Sequence, residues 1–210
     1  DGSGMRGVAY EATLYDYRVA NDAGSLAGLS NDTETAKVFN QHVIDNIKVS
    51  NNSWGTAGVE INEVSESWVR TNSKQSISAA LAAINNGTLF VFAAGNNGAM
   101  HANLVGGLPY RIAELNESWL VVVSVDPNNV ETYYTNRCGV AAAFCVTAPG
   151  GGDSQSTTGI YAADNDGGYI RYSGTSMAAP HVTGLAAALM SKFPSLTNKQ
   201  IATRIKTTSS

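Results

Sequence analysis

The serine at position 176 has the sequence context of a nucleophile. Ser176 stands in GTSMAAPH, residues 174–181, at the start of a predicted helix rich in small apolar residues. The first N–H groups of a helix lack intrahelical partners and carry partial positive charge, so they can bind an oxyanion. Serine is also a favoured N-cap residue, which is the structural alternative for Ser176. The full octapeptide favours the nucleophile, and hence acyl transfer.

A serine nucleophile needs a base, a group that orients the base, and donors for the oxyanion. Asn96 is a candidate donor because it follows a continuous apolar stretch, residues 88–94, that predicts a buried parallel strand. In open α/β sheets, ligands bind at the carboxyl ends of such strands. The alternative for Asn96 is turn chemistry within the sequence Gly-Asn-Asn-Gly.

Three segments, taken together, resemble motifs of the subtilisin-like serine proteases (subtilases, peptidase S8). They are GTSMAAPH at 174–181, FVFAAGNNG at 90–98 and NNSWG at 51–55, in the family's order. The resemblance implies that Ser176 is the nucleophile, and that its backbone N–H and the Asn96 side chain hold the oxyanion. The stretch GMRGVAY at 4–10 looks most like the exported autotransporter serine proteases of Gram-negative bacteria. We therefore expect a bacterial protein that is secreted or located at the cell surface.

The same resemblance implies a substrate cleft in which an extended peptide adds as a strand and side pockets select its residues. A second flanking strand is expected at residues 24–26, and an ordinary strand end is the alternative for residues 53–55. The two walls of the first specificity pocket are expected to be Ser53, Trp54 and Gly55 on one side, and Ala93, Ala94 and Gly95 on the other.

None of the three histidines has the context of a catalytic base. His181 lies five residues after Ser176, past one turn of the same helix, and is expected to be structural. His42 is expected on a helix as a surface or packing residue, and nothing in the sequence orients His101. In subtilases an aspartate and a His-Gly-Thr motif precede the serine, and no segment before Ser176 resembles either.

Residues 1–210 are therefore expected to be the C-terminal portion of a subtilase catalytic domain. The catalytic histidine and aspartate, with at least one central strand and one central helix, would come from an N-terminal segment outside these residues. A sheet that lacks these central elements is expected to expose apolar surface and unpaired strand edges.

Composition excludes some partners. The net charge of -4 and the absence of a Lys/Arg cluster argue against nucleic acid. No run of eighteen apolar residues predicts a membrane span. Cys138 and Cys145 could pair or remain buried thiols, and the resemblance to exported proteins favours a disulfide. No cofactor is expected: residues 164–167 (DNDG) predict a hairpin turn rather than a calcium loop, because no bidentate glutamate follows. Some subtilases bind calcium, but no ligand here can be named.

The elements that position these residues alternate between strands and helices, which predicts a three-layer α/β fold with a mainly parallel central sheet. Predicted strands cover residues 13–19, 50–53, 88–94, 119–125 and 144–148, with a hairpin of 160–163 and 169–172. Predicted helices cover 32–49, 73–86 and 175–192, and a last helix begins with a capping box at 197.

The sequence thus favours a serine endopeptidase acting on protein or peptide substrates. One alternative is a non-catalytic subtilase-like module that binds peptides. A second is an α/β-hydrolase esterase, but that fold prefers a Gly-x-Ser-x-Gly elbow and a late histidine. Here the second glycine of the elbow is absent, and no histidine follows His181.

Overall fold

The computed structural model describes residues 5–19, 31–152 and 155–208. Four parallel strands form its central sheet in the order β1-β2-β3-β4, which confirms the predicted α/β class. A separate antiparallel hairpin, β5-β6, precedes the helix that carries Ser176. The strands are β1 (Val49–Asn52), β2 (Leu89–Ala93), β3 (Trp119–Val125), β4 (Cys145–Pro149), β5 (Ile160–Ala163) and β6 (Tyr169–Tyr172).

Helices cover both faces of the sheet. They are α1 (Asp32–Ile44), α2 (Glu66–Asn72), α3 (Lys74–Asn85), α4 (Gln155–Thr158), α5 (Thr175–Lys192) and α6 (Asn198–Thr208). Alternate residues of the central strands point to opposite faces: Phe90 and Phe92 pack with α1 and α3, whereas Leu89 and Val91 pack with α5 and α6. Both faces of β2 and β3 are buried, which is why these strands are apolar in sequence except for Ser124 of β3.

Local capping explains where the helices begin. The Asn31 side chain, rather than the predicted Asp32 or Thr33, accepts the Glu34 N–H and caps α1. The α6 capping box forms as predicted, with Thr197 and Gln200 exchanging side-chain to backbone bonds. The short helix α2 was not predicted; Ser65 caps it by accepting the Trp68 N–H.

Two predictions of extent are wrong. Helix α1 ends at Ile44 instead of residue 49, because Asn46 takes a positive φ of 54° and strand β1 begins at Val49. Residues 13–19 form no strand. An extended segment needs a neighbour for its backbone bonds, and in the described ranges β1 pairs with β2 alone. Instead Tyr17 stacks on His42 and donates its hydroxyl to Asp45.

The Asp164–Gly168 segment is the turn of the β5-β6 hairpin. Its carboxylates accept backbone N–H groups, Asp164 from Asn165 and Asp166 from Gly168. Within residues 5–19, 31–152 and 155–208, no group of three or more His, Cys, Asp or Glu side chains is arranged to hold a metal ion. Cys138 and Cys145 form a disulfide. The strand expected at residues 24–26 lies outside the described residues.

No helix in the described part of the chain is long and apolar enough to cross a membrane.

Candidate active site

Ser176 lies in the first turn of α5, whose N-cap is Gly174. It is half-buried, and its Oγ donates to the Ser53 carbonyl oxygen at 3.3 Å. Pro180 has no N–H, so the Ser176 carbonyl lacks its usual helical donor four residues on. The Ser53 hydroxyl supplies the donor instead, at 2.8 Å. These reciprocal bonds fix the start of α5 against the segment that follows β1.

Asn96 is positioned by Thr175, the residue before the serine. The Thr175 N–H and hydroxyl both donate to Asn96 Oδ1, at 2.9 and 2.8 Å. The same hydroxyl accepts the Gly95 N–H at 3.2 Å. Because a backbone N–H can only donate, the side-chain atom facing Thr175 must be the amide oxygen. The Asn96 Nδ2 group is therefore the other end of the carboxamide, and it donates to none of the described residues.

The turn that carries Asn96 depends on a left-handed glycine. Gly95 has φ of 111°, a conformation that side chains rarely adopt. A Cβ there would lie 2.6 Å from Asn136 Nδ2. Asn136, in turn, accepts the N–H groups of Asn97 and Ala99 and so holds the loop. The loop after β2 is thus tied both to α5 and to Asn136.

Ser176 and Asn96 line one cavity of about 420 Å³. Most of the residues expected in the pocket walls also line it: Ser53, Trp54, Gly55, Ala93 and Gly95. Ala94 does not, since its side chain is fully buried in the core on the α1-α3 side. The reason is strand alternation, which turns Ala94 to the face opposite Ala93.

Sequence reasoning missed several residues of this site. Thr175 belongs to the segment GTSMAAPH at 174–181, but its role depends on contact with Asn96, 79 positions away. Asn103 also lines the cavity, and no sequence signal marked it. Thr56, Ala57 and Asn97 complete the lining.

The described contacts bring no base to Ser176. His181 Nδ1 donates to the Met177 carbonyl oxygen one turn earlier in α5. His101 Nδ1 accepts the Val140 N–H. His42 is buried beneath Tyr17, and its ring nitrogens contact Val38 O and Ser50 Oγ. Burial lowers the pKa of His42, against smaller opposing effects of the Val38 carbonyl and Asp45.

A second, larger cavity of about 1100 Å³ opens beside β1 and α5, the elements next to Ser53 and Ser176. Its other wall is the irregular segment of residues 5–17. Strand β1 has no partner on this side within the described ranges. Among the described residues, the side of the sheet nearest residues 5–17 is therefore incompletely filled.

Comparisons with known proteins agree on one family. The sequence model of the Subtilase family, Peptidase_S8, matches residues 1–210. The "Extracellular serine protease" of Serratia marcescens is 31% identical over 261 residues, covering 99% of this chain and 24% of that protein. "Subtilisin DY" of Bacillus licheniformis is 30% identical, covering 98% of this chain and 64% of that protein.

Solved structures show the same likeness. "Sphericase" has a TM-score of 0.72 and 25% identity, covering 98% of this chain and 63% of that one. Proteases from Pseudoalteromonas arctica have a TM-score of 0.72 and 28% identity, covering 96% of this chain and 57% of that one. The chain therefore spans less than two thirds of the length of each of these relatives.

Proposed function

Because the chain belongs to the subtilase family, we propose that it is part of a serine endopeptidase that hydrolyses protein or peptide substrates. The observation that carries this proposal is the contact between Thr175 and Asn96. It fixes the free amide end of Asn96 in the same cavity as Ser176, at the start of a helix.

In the proposed reaction, Ser176 Oγ attacks the carbonyl carbon of the scissile peptide and passes its proton to a histidine. The Ser176 N–H and Asn96 Nδ2 stabilise the oxyanion of the tetrahedral intermediate. Collapse of that intermediate breaks the C–N bond and gives the leaving amine a proton from the histidine. Water then attacks the Ser176 ester. The histidine takes a proton from this water and returns it to Ser176 Oγ as the acyl group leaves. All these steps use protein groups and water, and we assign no cofactor to them.

We propose that the histidine and its orienting aspartate come from a segment N-terminal to these 210 residues. Two observations support this assignment. Among the described contacts Ser176 Oγ bonds only to a backbone carbonyl. The edge of β1 that pairs with no strand of the described ranges faces the 1100 Å³ cavity. Unpaired backbone groups at a strand edge are a template for another strand. Residues 1–210 would then be the C-terminal portion of the catalytic domain.

Substrate is proposed to bind along residues 53–55 by strand addition, with its side chain entering the cavity. The Ser53 carbonyl oxygen, which accepts a hydrogen bond from Ser176 Oγ in this structure, is part of the same segment. Ala93 and Gly95, which line the same cavity, would form the second wall. Substrate backbone bonds would provide affinity, and the cavity would provide selectivity.

We further propose that the protein is exported by a bacterium and is secreted or held at the cell surface, by an autotransporter route. The similarity to the extracellular protease of Serratia marcescens supports export. The Cys138–Cys145 disulfide is consistent with it, because such bonds persist in oxidising compartments.

The second candidate function is a non-catalytic module that binds peptides in the same cleft. The absence of an imidazole at Ser176 among the described contacts favours it. The binding module would differ from the enzyme in the reactivity of Ser176, because a serine without a base is a weak nucleophile.

Labelling with a fluorophosphonate probe separates the two functions. The full-length protein, including residues upstream of Asp1, is labelled before and after Ser176→Ala, and the modified peptide is located by mass spectrometry. The enzyme is supported if Ser176 is labelled and Ser176→Ala abolishes the labelling. Ser67→Ala, at an exposed serine of α2, is the control and should leave the labelling intact. An intact, folded full-length protein that takes up no label supports the binding module instead.

A further inference from the structure

Asn103 is a buried polar wall of the cavity that holds Ser176. It is 3% exposed, yet it lines the cavity. Its Nδ2 donates to the Ala93 carbonyl at 2.8 Å, and its Oδ1 accepts the N–H groups of Val105 and Gly106 at 3.0 and 2.9 Å. Two backbone donors on one atom fix which end of the carboxamide is oxygen. Asn103 is therefore held rigidly, in one orientation.

The two walls of the cavity close on this carboxamide. A Cβ on Gly55 would lie 2.7–2.8 Å from Oδ1, Cγ and Nδ2 of Asn103, so the glycine backbone packs directly against the amide. A Cβ on Gly95, in the opposite wall, would lie 3.5 Å from Asn103 Cβ. The space between the walls thus ends at Asn103. A substrate side chain entering there is limited in length by the carboxamide.

The cavity is also uncharged. Its described lining consists of Ser, Thr, Asn, Gly, Ala and Trp residues. An ammonium, guanidinium or carboxylate group entering it would lose hydration without gaining a counter-ion, which is costly. Asn103 Nδ2 makes one hydrogen bond of the two that an amide nitrogen can donate. Its second N–H has no acceptor among the described residues and could donate to an uncharged acceptor on the substrate.

We propose that Asn103 determines the side-chain preference at the bond that Ser176 cleaves, selecting short, uncharged side chains and excluding charged and large aromatic ones. This inference rests on the proposed function. Asn103 acts on selectivity, since nothing in its contacts links it to Ser176 Oγ or to Asn96.

The test measures kcat/KM of the full-length protein on a set of fluorogenic peptides that differ only in the residue before the cleaved bond. Unmodified protein is expected to cleave after Ala, Ser or Thr at least about tenfold faster than after Lys, Glu or Trp, a ratio that corresponds to about 1.4 kcal/mol. Asn103→Asp keeps the size of the side chain and adds a negative charge. It is expected to raise kcat/KM for Lys relative to Ala by about tenfold or more.

Asn136→Asp is the matched control. Asn136 is equally buried and accepts two backbone N–H groups, but it does not line the cavity. That substitution changes the rate for all peptides by a similar factor and leaves the ratio of Lys to Ala unchanged. Asn103→Ser is a second variant, which shortens the side chain without charge. It is expected to raise the relative rate for larger residues such as Phe.

Fluorophosphonate labelling of the same samples distinguishes failure of the Asn103 proposal from failure of the proposed function. Labelled wild-type protein that prefers Lys, Glu or Trp overturns the role of Asn103, even if neither variant folds. So do labelled Asn103 variants whose preference matches that of the wild type. Wild-type protein that takes up no label and cleaves no peptide overturns the proposed function, and this inference with it.

Discussion

Thr175 holds Asn96 through two donors that converge on one oxygen. Its N–H and its hydroxyl lie 2.9 and 2.8 Å from Asn96 Oδ1, while the hydroxyl also accepts the Gly95 N–H. Thr175 is fully buried, whereas Asn96 is exposed. A buried residue adjacent to the nucleophile thus orients an exposed amide. The first turn of α5 and the loop after β2 therefore form one unit.

Thr175→Val should lower kcat by about tenfold with little change in KM. The substitution preserves shape, but it removes one bond to Asn96 Oδ1 and leaves the Gly95 N–H without its acceptor. Thr175→Ser keeps both hydroxyl contacts and should retain most of the activity. Steady-state kinetics of the full-length protein check this pair. A loss in Thr175→Ser as large as that in Thr175→Val would contradict a role that is specific to the hydroxyl.

Asn96→Ala should lower kcat by roughly 10²–10³ with KM nearly constant, because an oxyanion donor acts mainly in the transition state. That range was measured on a subtilisin, a relative of this chain. Labelling of Ser176 should be slowed as well. Asn128→Ala, at an exposed asparagine in the turn after β3, is the control. If Asn96→Ala raised KM and left kcat unchanged, Asn96 would be a binding residue instead.

Asp32→Ala should destabilise the domain by about 1–2 kcal/mol, as expected for loss of a helix cap. The Asp32 carboxylate lies in α1 but accepts the N–H groups of Gln75 and Ser76, in the first turn of α3, each at 2.7 Å. Its negative charge also complements the positive end of α3. Glu34→Ala removes an exposed carboxylate that pairs with Lys37 and should cost less than about 1 kcal/mol.

Denaturant unfolding of the full-length protein measures both changes. The Asp32 effect should appear as a shift of the midpoint without a change in slope. Equal effects for Asp32→Ala and Glu34→Ala would contradict the capping role.

Stability should fall as pH is lowered through the range in which His42 titrates. Burial lowers its pKa in the folded protein below the ordinary value of 6.5, so the unfolded chain binds the proton more readily. The contribution of neutral His42 is therefore present above about pH 6.5 and is lost as pH falls toward the folded pKa. A charged imidazole could also no longer accept the Ser50 hydroxyl proton.

The measurement is the free energy of unfolding of the full-length protein at pH 7 and at pH 5. His42→Gln should show a smaller decrease between the two than the wild type. His181→Gln, on α5, is the control for removal of a histidine elsewhere. A wild-type decrease no larger than that of His42→Gln would exclude His42 as the cause.

The sequence predicts those parts of the candidate site that depend on residues close together in the chain. Strand β3 and helix α5 have the predicted bounds, because a doubly buried strand and a buried helix each require a continuous pattern of apolar or small residues. The nucleophile candidate was visible for the same reason, since a helix start is encoded by neighbouring residues. The family resemblance then paired Ser176 with Asn96, and both line one cavity.

The sequence by itself therefore determined the α/β class, the central strands, the helix at Ser176 and the family. Only the tertiary structure decided that Asn103 closes the cavity, that Asp32 caps a different helix, and that residues 13–19 form no strand. Asp32 and Ser76 are separated by 44 positions. Contacts of this kind depend on how the elements pack, and a strand depends on a neighbour's hydrogen bonds, so neither is encoded in a local pattern.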